Sequence, residues 1–283
     1  MRIGIHTSTS GSLANAALKA IELGANTFQI FSSSPRMWHA PVPDPAAVRK
    51  FKDLREKHDL TPLVIHDNYL INLASADTLI RTKSIAAFRG EIDRAMLIGA
   101  EFLVMHPGSA KAIDPDDAMS ILAESIGEAC AGRKSEQLTI LLGNTAGQGS
   151  ALGSSFEQLA EIRRRIGRRI GFHVGYCIDT CHSLAAGYNV ARQKGLRETI
   201  GNMDEVLGLD RVCVIHANDS KTPLGSRVDR HANIGEGHIG LDGFRRILRA
   251  RELRSKPFIL ETPIDNDGDD LRNMKTLKGL VKI

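Results

Sequence analysis

No apolar run in the 283-residue chain reaches the ~18 residues that a membrane span requires. The opening residues, MRIGIHTSTS, hold no apolar stretch of signal-peptide length. Together these absences predict a cytoplasmic protein. Cysteine is scarce: Cys130, Cys177, Cys181 and Cys213 form no C-x-x-C pair, and most lie in apolar, strand-like segments. This argues against a disulfide framework and suits reduced core thiols. The first apolar run is followed by no glycine-rich phosphate loop. GIHTSTSG is not G-x-G-x-x-G, which counts against an open doubly wound sheet. Low-complexity segments and long linkers are also missing. Neither sign of charge dominates, because 37 Lys and Arg face 33 Asp and Glu for a net +4. Such mild basicity is compatible with a nucleic-acid partner and does not require one.

What the chain has is alternation. Apolar runs of strand length recur at Arg2–His6, Thr27–Phe31, Leu63–His66, Phe102–His106, Leu138–Leu142, Val174–Ile178, Val212–His216 and Phe258–Leu260. Stretches of helical period lie between them, among them Leu13–Leu23, Pro45–His58, Ile80–Ile98, Pro115–Ala131, Phe156–Ile166 and Leu241–Leu248. Strands that are apolar throughout and alternate with helices make a parallel sheet covered on both faces. Eight such units in 283 residues predict an α/β fold, a (β/α)8 TIM barrel, as one domain over residues 1–283. An open doubly wound sheet is the alternative. Asp44-Pro45 and Asp114-Pro115 each set a capping side chain before a first-turn proline, and Ser154 or Ser155 can cap the helix at Phe156. The basic run Arg163–Arg169 ends a helix on the side leading into the next strand. It reads as solvated charge favoured by the helix dipole, on the barrel face opposite the active site.

In a barrel, side chains just past the strand C-termini converge on one mouth. Here the first run ends in His6, the third in His66 and the fourth in His106. The sixth is followed by Asp179, with His182 three residues later. The seventh ends in His216, and Asp229 and His231 lie in the connection after it; the eighth is followed by Glu261. Asp-x-His sets both side chains on one side of an extended backbone. The imidazoles of His66, His106, His182, His216 and His231, with the carboxylates of Asp179, Asp229 and Glu261, are too many donors for one tetrahedral ion. Two or three ions are expected, and nitrogen-rich donors favour zinc. His39, His58, His173 and His238 lie off the strand ends and are expected at the surface or behind the ligands; His6, at the mouth on the first strand, is expected behind the ligands. A multi-ion, carboxylate-bearing site at a barrel mouth suits hydrolysis of a phosphate ester.

HDNYLINLAS (66–75), MHPGS (105–109), NTAGQGSALG (144–153), CIDTCHSLAAGYN (177–189), HANDSKTPLGSRVDRHANIGEGHIG (216–240) and ILETP (259–263) carry a more specific likeness. Together they resemble the endonuclease IV family, the metal-dependent apurinic/apyrimidinic (AP) endonucleases of base-excision repair, over essentially the whole chain. The resemblance implies a barrel holding three zinc ions, and cleavage of the phosphodiester 5′ to an abasic site in duplex DNA to leave a 3′-hydroxyl. It implies His66 and His106 for the first ion, Asp179, His216 and Glu261 for the second, and His182, Asp229 and His231 for the third. Asp179, His182 and Glu261 would then stand at the catalytic centre. Arg36 in SSSPRMW, and Tyr69 and Leu70 in HDNYLINLAS, match positions with which the family opens the duplex. A planar cation, an aromatic ring and an apolar wedge are what that task needs. Lys221, Arg227 and Arg230 are expected to meet phosphates. One barrel per DNA site makes a monomer the expected state.

The fifth run, LTILLG, ends in Gly143. The family pattern has a glutamate here, directly before NTAGQG, bridging the first two ions. The flanking residues fit, and neither Leu142 nor Asn144 supplies an acid. The expectation is therefore two well-held zinc ions, a first site reduced to two histidines, and cleavage slowed by roughly 10²-fold or more. Two alternatives stand beside it. One is an abasic-DNA-binding protein without catalysis. The other is a sugar isomerase or epimerase of the related barrel superfamily, which has no use for Arg36, Tyr69 and Leu70.

Overall fold

The computed structural model describes residues 1–111, 113–167 and 170–281. In chain order its elements are β1 (Ile3–His6), α1 (Leu13–Glu22), β2 (Thr27–Phe31), α2 (Pro45–Lys57), β3 (Leu63–His66), α3 (Thr78–Ile98), β4 (Phe102–Met105), α4 (Pro115–Cys130), β5 (Lys134–Gly143) and α5 (Phe156–Ile166). They continue as β6 (Gly171–Asp179), α6 (Thr180–Ala186), α7 (Gln193–Asn202), β7 (Val212–His216), β8 (Asp219–Ser220), β9 (His231–Ala232), α8 (Gly240–Arg249), β10 (Phe258–Leu260) and α9 (Asp269–Gly279). A π-helical turn, Met203–Leu207, and a 3-10 turn, Leu209–Arg211, join α7 to β7. Eight strands close into a barrel in the order β1-β10-β7-β6-β5-β4-β3-β2, every neighbouring pair parallel. The TIM barrel expected from the alternation is the fold, and the closed sheet removes the doubly wound alternative.

Local chemistry sets the helix starts. Asp44 accepts from Ala47 N, Asp114 from Asp116 N and Ser155 from Gln158 N, each cap stabilising its helix by roughly 1 kcal/mol. Ser155, and not Ser154, is the cap of α5. α3 begins two residues before its apolar periodicity because Asp77 takes the backbone N–H groups of Leu79 and Ile80. β5 and β6 reach further back than their apolar runs, to Lys134 and Gly171, which pair with each other. Their first residues are mostly solvent-facing, so no apolar run marks them. Arg163, Arg164 and Arg165 fill the last turn of α5, where Arg164 and Arg165 both pair with Glu161; Arg168 and Arg169 lie outside the described residues.

The core has two shells. Between sheet and helices pack Phe28, Leu63, Phe88, Ile92, Leu122, Phe156 and Phe244. Inside the barrel a separate layer holds Val64, Val104, Leu141, Cys177, Val214 and Ile259, one from each of six strands. All four cysteines are free thiols. Among the described residues no helix is long and apolar enough to cross a membrane.

Candidate metal centre

Side chains along a strand alternate, so the residue two places on points the same way. Two residues mouthward of the apolar barrel layer stand His66, His106, Gly143, Asp179, His216 and Glu261. The register of the barrel thus sets five donor side chains and one glycine at a common height. His182 joins them from the first turn of α6, where Asp179 is the N-cap and accepts from Cys181 N (2.7 Å) and His182 N (3.0 Å). Asp229 and His231 arrive from the long connection after β7, which folds around the buried carboxylate of Asp219. That carboxylate accepts from the backbone N–H groups of Gly235 (2.9 Å), Gly237 (3.1 Å) and Ile239 (2.9 Å). A Cβ on Gly237 would fall 2.4 Å from Ser220 O, so only glycine lets the chain close there.

Two separate donor sets result. Within each, the ligand atoms lie within 4.8 Å of one another: Asp179, His216 and Glu261 in one, His182, Asp229 and His231 in the other. A third grouping, Asp179, Cys181 and His231, borrows two members from these. Among the described residues, His66 and His106 belong to no three-donor set. Their ring centroids are 5.2 Å apart, and a Cβ at Gly143 would stand 3.0 Å from His106 Nδ1.

Hydrogen bonds select which nitrogen each ring offers. A carbonyl oxygen can only accept, so His66, His182 and His231 donate through Nδ1 to Asp67 O (2.9 Å), Asn144 O (2.9 Å) and Glu261 O (3.0 Å). Each therefore turns Nε2 inward. His182 Nε2, His231 Nε2 and His106 Nδ1 are buried with no hydrogen-bond partner. His182 Nε2 does stand 3.1 Å from Asp229 Oδ2, but off the line a hydrogen bond needs. Orphaned imidazole nitrogens beside carboxylates fit a divalent cation, which would satisfy them. The set of Asp179, His216 and Glu261 is held by amides: Asn218 Nδ2 donates to Asp179 Oδ2 (2.7 Å), and Asn218 Oδ1 accepts from Glu261 N (2.7 Å). Asn144 Oδ1 accepts from Asp179 N (2.6 Å). Sequence reasoning alone does not find these amides, although each lies within two residues of a strand-end position.

Burial resists charge throughout the site. It pushes His106 down to about 3 and His6 down to about 4. At His182 burial is outweighed by Asp179 and Asp229, and the ring rises to about 9. Burial also opposes the Asp229 carboxylate, but His182 holds it at about 2. At Glu261 burial is again outweighed, by His216 at 3.0 Å, and the carboxyl lies well below its usual range. Each three-donor set thus carries a ready-made anion.

His66, His106, His182, Asp229, His231 and Glu261 line a cavity of about 280 Å³, with His6, Phe31, Tyr69, Thr262 and Ile264 at its walls. Tyr69 is 70% exposed at this rim, its ring 5.1 Å from Phe31 in edge contact. Leu70, beside it, is half-buried, and Arg36 is exposed in the connection after β2. Asn68 joins these two connections, donating from Nδ2 to Met37 O (2.5 Å) and accepting from Leu70 N (2.7 Å). Lys221, Arg227 and Arg230 are exposed in the connection after β7, so all six rise from strand C-termini on one mouth. His39, His58, His173 and His238 are exposed and belong to neither donor set.

Residues 17–280 match the family described as a Xylose isomerase-like TIM barrel. The chain is 56% identical to probable endonuclease 4 of Solibacter usitatus over 99% of its own length and 97% of that protein. The crystal structure of endonuclease IV from Thermus thermophilus superposes with a TM-score of 0.87 at 37% identity, covering 100% of this chain and 99% of that one. A D-tagatose 3-epimerase-like protein shares the fold, with a TM-score of 0.71 at 20% identity over 100% and 97% of the two chains.

Proposed function

The chain belongs to the endonuclease IV family, and from that premise we propose that it is a zinc-dependent AP endonuclease acting on abasic sites in duplex DNA, with its rate limited by Gly143. The observation that carries this reading is the pair of separate donor sets, Asp179/His216/Glu261 and His182/Asp229/His231, under a rim of exposed Tyr69 and Arg36. Nitrogen-rich, carboxylate-bearing donors suit zinc. Zinc ions bound there would acidify water and neutralise charge on an attacked phosphate.

The chain's own groups divide the remaining work. Asp179 lies between the sets, its Oδ2 3.5 Å from His231 Nε2 and 4.0 Å from His216 Nδ1, so it holds them at a fixed spacing. His66 and His106 face the same cavity and retain lone pairs, but Gly143 brings no carboxylate to join them. Two ions held firmly, and a third held weakly or not at all, is the expected loading. Tyr69 and Leu70 would fill the gap left by an extruded sugar, with Arg36 beside them. Lys221, Arg227 and Arg230 would take backbone phosphates, orienting the duplex without reading its sequence. We assign the 5′ side of the abasic site as the bond cleaved, and a cytoplasmic monomer as the working form.

The test is a nicking assay on an abasic duplex with added zinc, run beside metal counting by plasma mass spectrometry. Two zinc ions per chain and slow nicking that leaves a 3′-hydroxyl are expected. Tight binding of abasic duplex with no nicking at any zinc concentration would favour a lesion-binding protein. Three firmly held ions with fast turnover would show that Gly143 does not matter.

A further inference from the structure

Gln29 sits in β2, one of five barrel strands, β1 to β5, that contribute to neither donor set. It has 0% exposure and faces into the barrel beside Val64, its partner in register on β3, where the surrounding layer is apolar. A carboxamide in such a place costs free energy unless its polar atoms are bonded. Here they are. Gln29 Nε2 lies 2.5 Å from Glu261 Oε1 and 3.0 Å from His6 Nδ1, and Gln29 Oε1 lies 2.8 Å from His216 Nε2. Chemistry fixes the direction of the amide. A carboxylate oxygen only accepts, so the NH2 group faces Glu261 and the carbonyl faces His216.

The consequence falls on His216. Its Nε2 must carry the hydrogen donated to Gln29, which leaves Nδ1, 3.0 Å from Glu261 Oε2, as the nitrogen turned to the donor set. His66, His182 and His231 do the opposite, donating through Nδ1 to backbone carbonyls. His216 alone among these four rings relies on a side chain for this choice. The same side chain also holds the second oxygen of Glu261.

We propose that Gln29 is a positioning residue of the metal centre, which sets the tautomer of His216 and the orientation of Glu261 with one carboxamide and so makes a single ion-binding set from β7 and β10. The proposal rests on the zinc centre proposed above but not on DNA cleavage. Partners of this kind behind metal ligands typically govern 10–100-fold in affinity.

Gln29→Met fills similar volume without polar atoms. In a zinc competition titration against a chromophoric chelator, one ion should weaken by about 10–100-fold while the ion at His182, Asp229 and His231 is unaffected. The melting temperature of the metal-free variant should stay close to that of the wild type, which separates lost positioning from lost folding. Unchanged affinity for both ions overturns the proposal. A second measurement needs no variant. Long-range proton–nitrogen correlation spectra of the zinc-loaded wild type should show His216 with Nε2 protonated and Nδ1 metal-bound. Metal on Nε2 of His216 overturns the proposal even if the variant fails to fold. Both readouts are of metal, so absent nicking would count against the proposed activity while these two results alone decide the role of Gln29.

Discussion

On one side of the barrel mouth, β6, β7 and β10 present Asp179, His216 and Glu261; on the other, β3, β4 and β5 present His66, His106 and Gly143. All six positions stand two residues beyond the same apolar layer, so the backbone treats the two sides alike. Their electrostatics differ. On the first side His216 and Glu261 hold each other at 3.0 Å, and Asn218 and Gln29 hold the carboxylates. On the second, His106 Nδ1 is buried without a partner and the ring is pushed down to about 3. Strand register supplies the geometry of a metal site, and carboxylates supply the charge that makes it hold a cation.

The strongest way to break the comparison is to weaken the strong side. Asp179→Asn keeps the helix cap, because Asn caps as well as Asp, but removes the anion that reaches both sets. Zinc content should fall below one per chain, and nicking should drop by about 10³-fold or more. Two zinc ions retained in the variant would show that the sets do not depend on that charge.

Gly143→Glu tests the weak side. The new Cβ meets His106 at 3.0 Å, so the ring must give by a few tenths of an ångström, and no hydrogen bond from Nδ1 resists it. A third zinc and a gain of roughly 10²-fold in nicking are expected. An unchanged metal count and rate would mean that the glycine is not what separates the two sides.

The smallest effect is in the pH dependence of the metal-free protein. His182 is raised from 6.5 to about 9, so its contribution is fully present below pH 6.5 and is lost as pH rises through about 9. His106 is lowered from 6.5 to about 3, because the folded chain keeps it neutral. The unfolded chain then binds more protons between those values, and stability falls as pH drops from 6.5 towards 3. Scanning calorimetry of chelator-treated protein should show both limbs, with shifts of roughly a few degrees. His182→Asn should flatten the alkaline limb and His106→Asn part of the acid one. A variant that flattens the wrong limb would refute the assignment.

Much of the fold was readable because its signals are local. Apolar runs and helical period gave the eight barrel strands, and Asp44, Asp114 and Ser155 marked helix starts through contacts spanning two or three residues. β8 and β9 were not readable: two-residue strands carry no period, and they lie in a connection whose fold depends on contacts between distant residues, such as those of Asp219 with the backbone of residues 235–240. Gln29 was invisible for another reason. In TFQIF it looks like one polar residue in an apolar strand, and its partners Glu261 and His216 lie 232 and 187 residues away.

The sequence by itself determined the barrel and the layer of donors at the strand ends, with no side chain at Gly143, since strand alternation fixes which residues share a face; that an acid belongs there is what the family resemblance implies. The tertiary structure groups those donors in space, along the division that the family resemblance implied. His216 and the Asp229–His231 pair lie in one stretch of chain yet fall into different sets, because one sits on a strand and the others return through a folded connection. It also decided which nitrogen each imidazole turns inward. That choice belongs to whatever the opposite nitrogen bonds, and for His216 barrel closure brought in a side chain from β2.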